Sequence, residues 1–268
     1  MKRAWRSQEI GDQEGIAAAL GGLGVVLSVH GDYPAARSLH EQSLAIRLQL
    51  GDRLRAAVCM NNVGCVAVSQ GDLSAASALF EDSLAIRREF GDRRGSAVTL
   101  HNQARLRRIQ GDHAVAKALN EEALTIFREL GDSRAVASSL NNLGVAACDR
   151  RDFPRGRALL RESLSIFLKL GERWAVAECL EELASALALD QPYRAASIWG
   201  AAERLREAID APRKPIEQAR YDDYVAVARA TFSDDAAFEL AWRKGSAMDL
   251  KEVLRYALDE QAGGAKPS

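Results

Sequence analysis

The chain reads as an all-α protein, a right-handed superhelical solenoid of antiparallel helix hairpins with a C-terminal helical cap. Three observations predict this. The dipeptide Gly-Asp recurs every 20 residues, at Gly11-Asp12, Gly31-Asp32, Gly51-Asp52, Gly71-Asp72, Gly91-Asp92, Gly111-Asp112 and Gly131-Asp132, and the beat persists in degraded form at Arg151-Asp152 and Gly171-Glu172. The amphipathic stretches between the marks alternate between two types, so the unit is 40 residues: EQSLAIRLQLGDR at 41–53 matches EDSLAIRREFGDR at 81–93. A fixed period of this size is the mark of stacked helical hairpins, which present a long surface. Hydrophobic residues make up 47% and aromatics 6%, so the core is built mainly from Ala, Leu, Val and Ile, small enough for close helix packing.

Taken in order, residues 4–10 align with the end of a second-type helix, Ile10 standing where Leu50 stands one period later. The chain is therefore expected to begin inside a repeat, with residues 1–12 a remnant of the preceding helix; Met1 is then an internal or late start, or the chain is the separated C-terminal part of a longer protein. Five hairpins are expected over 13–210. First-type helices fall at about 13–30, 53–70, 93–110, 133–150 and 173–189, and second-type helices at about 33–50, 73–90, 113–130, 153–170 and 193–210. Residues 53–90 show why. Ala56, Ala57, Met60, Val63, Gly64, Ala67 and Val68 recur at helical spacing before Gly71-Asp72, and Leu73, Ala76, Leu79, Phe80, Leu84 and Ile86 do so after it. Gly supplies the left-handed residue that ends one helix, and Asp caps the start of the next. The short connection makes neighbours antiparallel.

After Asp190 the pattern changes. Ala211-Pro-Arg-Lys-Pro215 breaks the array. A cap over 211–260 is expected, with helices at about 216–231, 234–244 opened by Ser233, and 249–260; residues 261–268 are expected to be a disordered tail. Trp199, Phe232, Phe238, Trp242 and Tyr256 concentrate here. They either seal the last exposed repeat face or line a small-molecule pocket.

Leu23-Gly24, Val63-Gly64 and Leu143-Gly144 each precede a turn by seven residues, and Ala36, Ala76 and Ala116 follow the turn glycine by five. This layout resembles the tetratricopeptide repeat over residues 4–210. Two departures stand out. The family's proline near the end of the second helix is replaced by Leu48, Arg88, Arg128 and Leu168, which lets both helices lengthen to fill a 40-residue unit. Ala104 and Ala184 replace the small Gly, so looser packing is expected in the third and fifth repeats. The segments WGAAERLREAIDAP, ARYDDYVAVARA and FELAWRKGSAMDLKEVLRYAL resemble the C-terminal end of bacterial LuxR-like and cyclase-associated signalling ATPases of the STAND type. That resemblance implies a sensor arm whose ATPase and DNA-binding parts lie elsewhere, because the chain has no G-x-x-x-x-G-K-[ST] phosphate loop and no basic recognition helix.

Other classes find little support. Lys plus Arg total 36 against 37 for Asp plus Glu, a net charge of -1, which is not a nucleic-acid footprint. No apolar run is long enough to cross a membrane, and the basic start lacks the apolar region of a secretory signal. Cys59, Cys65, Cys148 and Cys179 lack metal or redox spacing and read as packing residues of a reducing, cytoplasmic compartment. His30, His40, His101 and His113 occupy unrelated repeat positions, so neither catalysis nor a metal site is expected, and no cofactor.

The candidate sites are therefore for binding a protein or peptide. Asn62, Asn102 and Asn142 recur at one position of the first helix, where the tetratricopeptide resemblance places the concave groove. Asn is a poor mid-helix residue, so its repetition calls for a cause. It can clamp an extended peptide backbone with donor and acceptor, or bond the neighbouring hairpin. Arg105 and Arg108 replace Cys65 and Val68 of the previous repeat and belong to a basic cluster with Arg87, Arg88, Arg93, Arg94 and Arg107. They can select an acidic partner or remain solvated charges. His101 replaces Asn61 beside them. Glu182 stands in the fifth repeat where the Asn series would continue, and with Glu178 and Glu181 it forms an acidic counterpart able to orient a ligand. The first reading is a non-catalytic interaction module; the alternative is the regulatory arm of a signalling regulator, docking an ATPase or DNA-binding domain.

Overall fold

A computed structural model describes residues 2–213 and 215–259, with side chains from Asp12 onward except those of Pro215 and Ile216. Among the described residues there are thirteen helices and no strand. They are α1 (Lys2–Val29), α2 (Tyr33–Gln49), α3 (Arg53–Ser69), α4 (Leu73–Glu89), α5 (Arg93–Ile109), α6 (His113–Glu129), α7 (Ser133–Asp149), α8 (Phe153–Leu170), α9 (Arg173–Leu187), α10 (Pro192–Ala208), α11 (Pro215–Arg229), α12 (Asp235–Ala247) and α13 (Leu250–Leu258). The chain divides into two compact units, the first ending at Leu130 and the second beginning at Gly131.

The turns explain the 20-residue beat. At Gly51 (φ 73°) the backbone is left-handed; Gly51 N–H donates to Leu48 C=O at 3.1 Å and Asp52 N–H to Arg47 C=O at 3.0 Å. These are the two bonds of a Schellman closure. The Asp52 carboxylate then accepts from Arg55 N–H at 3.1 Å. Asp52 thus ends one helix with its N–H and starts the next with its side chain. Asp32, Asp72, Asp92, Asp112, Asp132 and Asp152 cap in the same way. The degraded marks differ. Arg151 adopts φ 63° where glycine stands elsewhere, and the Glu172 side chain makes no cap bond but pairs with Arg134 at 3.3 Å.

Gly11-Asp12 behaves otherwise, because α1 runs through it unbroken. The turn expected there does not form. Glycine and a cap each bias the backbone by only about 1 kcal/mol; packing of both flanking helices closes the later turns. At the other end the cap of α12 is Asp234, not the expected Ser233: its carboxylate accepts from Ala237 N–H at 2.8 Å. A carboxylate adds favourable interaction with the helix dipole that a hydroxyl lacks.

Within hairpins, packing is matched by size. A Cβ on Gly24, Gly64 or Gly144 would strike His40, Phe80 or Leu160, respectively. Asn120 and Gly200 stand 16 residues after Ala104 and Ala184, as Phe80 does after Gly64. Both alanines are buried, and the expected looseness does not arise. A buried serine joins successive hairpins. Ser43, Ser83 and Ser163 donate to Ala17, Ala57 and Ala137 carbonyls at 2.7, 2.7 and 2.8 Å, and each lies 3.3 Å from Cys59, Thr99 or Cys179 of the next first-type helix. The carbonyl gives each buried hydroxyl its hydrogen-bond partner.

In the second unit α10 packs on α9 and is covered by α12 and α13. Close approach of α10 and α12 rests on glycine. A Cβ on Gly200 would sit 2.2 Å from Trp242 O, and one on Gly245 1.7 Å from Ser197 O. Trp199 is fully buried beside Tyr221 and Trp242, with ring centroids 5.9 and 6.5 Å away. Phe232 and Phe238 extend the cluster at 5.3 Å. The rings fill the helical interface.

Candidate interaction face

Each expected site residue lies on a first-type helix and is half-buried. In the first unit, Asn62 of α3 and Asn102, His101, Arg105 and Arg108 of α5 share the repeat positions that predicted them. Asn102 Nδ2 donates to Asn61 Oδ1 at 3.0 Å, joining α5 to α3. Asn61 is itself buried. In the second unit Asn141 plays a like part, accepting from Cys179 Sγ at 3.2 Å. At 61–62 and 141–142 the first asparagine is thus the buried link between hairpins, and the second is the more accessible member. A buried amide that is hydrogen-bonded costs little and fixes register. The doubled Asn-Asn at 61–62 and 141–142 was the available signal. His101 Nδ1 lies 3.2 Å from Asn120 Oδ1 of α6.

The basic cluster does not act as a block. Arg87 is buried and bonds Ser83 at 3.2 Å and Asp92 at 3.2 Å; burial lowers its pKa against the pull of Asp92. Arg88 pairs with Glu122 at 3.1 Å, Arg93 with Glu129 at 2.5 Å and Arg107 with Glu81 at 3.6 Å. Arg105 and Arg108, one turn apart on α5, are half-buried.

The acidic group of the fifth repeat is taken up within the second unit. Buried Glu181 accepts both arms of Arg206 at 2.7 Å and Arg213 at 2.6 Å, and its carbonyl accepts from Trp199 Nε1 at 3.3 Å. Burial opposes the Arg206 charge, yet Glu181 outweighs it and raises the pKa. Arg213 also stacks on Tyr221, 3.4 Å from the ring centroid. Glu182 pairs with Arg220 of α11, which also reaches Asp149 at 3.6 Å. Burial works against the Arg220 charge too, but Glu182 and Asp149 raise its pKa. At the position where the Asn series would continue, α11 already supplies the counter-ion, so Glu182 is a docking point for the cap. Three arginines after α9, Arg206, Arg213 and Arg220, against three glutamates within it was the legible hint.

The cysteines are unpaired to one another, and three are buried. Burial pushes the Cys148 thiol up to about 12 and raises that of Cys179 as well, which suits packing rather than thiolate chemistry. Among the described residues no three His, Cys, Asp or Glu side chains are grouped to hold a metal ion, and no helix is long and apolar enough to cross a membrane.

Tandem antiparallel hairpins with a polar series on the first-type helices define a helical-repeat protein. Family models for the tetratricopeptide repeat match residues 15–89 and 136–170, so the chain carries tetratricopeptide repeats over those residues, a fold that is generally a protein-interaction module. Its backbone resembles that of BtubC (BKLC) from P. vanneervenii, at TM-score 0.55 and 21% identity over 78% of this chain and 91% of that one. It also resembles a Podosopora anserina protein named for kinesin light chain, with nearly identical TPR-like repeats, at TM-score 0.50 and 18% identity over 83% of this chain and 99% of that one. No curated protein matches.

Proposed function

We propose that the chain is a non-catalytic module that binds an extended, acidic segment of a partner protein on the first-type helices of its first unit. The observation that carries this is the grouping on α3 and α5 of half-buried Asn62, Asn102, His101, Arg105 and Arg108. Asn62 offers a donor and an acceptor to a peptide backbone, Asn102 offers what its bond to Asn61 leaves over, and the guanidinium forks of Arg105 and Arg108 suit carboxylates. In the second unit Asn142 keeps the series, but Glu182 is engaged by Arg220, which supports placing the site in the first unit.

A displayed library of random peptides selected against the whole chain tests the reading. The selected peptides should be acidic, and the Arg105→Glu/Arg108→Glu variant should weaken a selected peptide by tenfold or more, since like charge replaces complementary charge. Asn62→Ala/Asn102→Ala should weaken acidic and neutral peptides alike. Peptides without acidic character, or binding unchanged in both variants, would overturn it. If the natural partner carries an ATPase or DNA-binding domain, the regulatory-arm reading gains its support from that.

A further inference from the structure

Of the helices of the second unit, α11 is the one least built into the core. Between Glu217 and Arg229 a single side chain is buried, that of Ala228, whereas α9 and α10 bury eleven each. Tyr221, Tyr224 and Val225 pack against the core at half burial. Charge does the rest. Arg220 pairs with Glu182 of α9 and reaches Asp149 of α7 at 3.6 Å, and Arg229 pairs with Asp235 and Glu239 of α12 at 3.2 and 2.6 Å. An element with few buried apolar side chains opens at a lower free energy than the core beside it.

Two observations say what such an opening would leave. With α11 lifted, α9 keeps α8 and α10 as neighbours and α10 keeps α9 and α12. Buried Glu181, held by Arg206 and Arg213, still ties down the chain just before α11. What is uncovered is Glu182 with Asp149. Glu182 stands three 40-residue units after Asn62 and two after Asn102, the residues proposed to hold a partner in the first unit. In the second unit the same repeat position already has an occupant, an arginine-bearing helix of the chain itself.

We infer that α11 is an internal ligand, and that Glu182 and Asp149 beneath it form a docking site for an arginine-bearing segment of a partner protein, which enters as α11 lifts. Arg220 shows the recognition chemistry, a planar guanidinium fork shared between two carboxylates. An occupant in cis gates the site, because the apparent affinity for a competitor is reduced in proportion to the fraction of chains in which α11 is lifted. The site selects the opposite charge from the first-unit face and uses none of its residues, so either reading can fail alone.

Fluorescence anisotropy with the whole chain and a labelled peptide of residues 217–229 is the test. The unsubstituted chain should bind the peptide weakly, because α11 holds the site. Arg220→Glu in the chain removes the grip in cis and should raise affinity for the peptide by about tenfold or more; adding Glu182→Arg should abolish that gain. A peptide carrying Arg220→Glu should bind neither chain. Should the Arg220→Glu chain lose helical circular dichroism, hydrogen exchange of the unsubstituted chain decides. The α11 amides should exchange about tenfold faster than those of α10, and faster still at high salt, which screens the ion pairs. Equal peptide binding by the substituted and unsubstituted chains, binding by neither, or α11 amides as protected as those of α10 would each overturn the proposal.

Discussion

His40 is buried in the first hairpin against Gly24, in the geometry that Phe80 adopts against Gly64 one repeat later. Its Nδ1 has no hydrogen-bond partner among the described residues, and burial lowers its pKa. The pH consequence follows from the sign of that shift. Above the ordinary histidine value of about 6.5 both folded and unfolded forms are neutral, and stability does not depend on this group. Below it the unfolded chain takes up a proton that the folded chain resists, so stability falls as pH drops through 6.5 toward the lower folded pKa. His40→Phe removes both the unpartnered nitrogen and the titration. It should stabilise by about 1–2 kcal/mol near neutral pH and by more near pH 5. Urea unfolding at the two pH values checks this, and an advantage that is the same at both would show that His40 does not titrate against folding.

At the scale of the element, the turns are interchangeable parts, and the two degraded ones reveal what each residue contributes. Arg151 holds a left-handed backbone that costs a residue with a Cβ about 1–2 kcal/mol relative to the right-handed form. Glycine adopts it freely in the other turns. Glu172 has a carboxylate but one methylene too many, so it leaves the orphan N–H groups of α9 without a side-chain cap. Arg151→Gly should therefore raise stability by about 1 kcal/mol and Glu172→Asp by about 0.5–1 kcal/mol, the latter reduced by whatever the exposed Arg134 pair contributes. The sites stand at opposite ends of α8, far enough apart for the effects to add. Thermal unfolding of the two single variants and the double variant measures both. A loss of stability in Arg151→Gly would mean that the arginine side chain outweighs the strain of its backbone.

For the whole molecule, what was legible in the sequence is what repeats. Helix positions followed from apolar spacing and from Gly-Asp, since those are local preferences that every copy reinforces. What did not repeat was hidden. The run of α1 through Gly11-Asp12 departs from what that dipeptide does in the later turns, and the Ser43–Cys59 type of contact joins residues 16 apart whose polarity gives no sign of burial. The candidate face was half readable: the Asn series fell on one helix type as expected, but the acidic group of α9 could not be told from a ligand site without seeing the arginines that meet it. Those arginines carry the last prediction. Glu181 is buried between Arg206 and Arg213 and fastens the segment after α10 to α9. Glu181→Gln leaves two guanidinium groups in a buried place without their counter-charge and should cost about 3–5 kcal/mol, the range for breaking a buried pair from one side. Replacing both ends with apolar residues, Glu181→Leu with Arg206→Met, should recover most of that loss, because desolvation of the pair offsets much of its attraction. Arg213 is less demanding, since its guanidinium also has the Tyr221 ring. Denaturation followed by tryptophan emission reads this part of the chain, where Trp174, Trp199 and Trp242 lie. A double variant as unstable as Glu181→Gln would show that the ion pair is worth far more than the apolar packing that can replace it, and that the cap is held by charge.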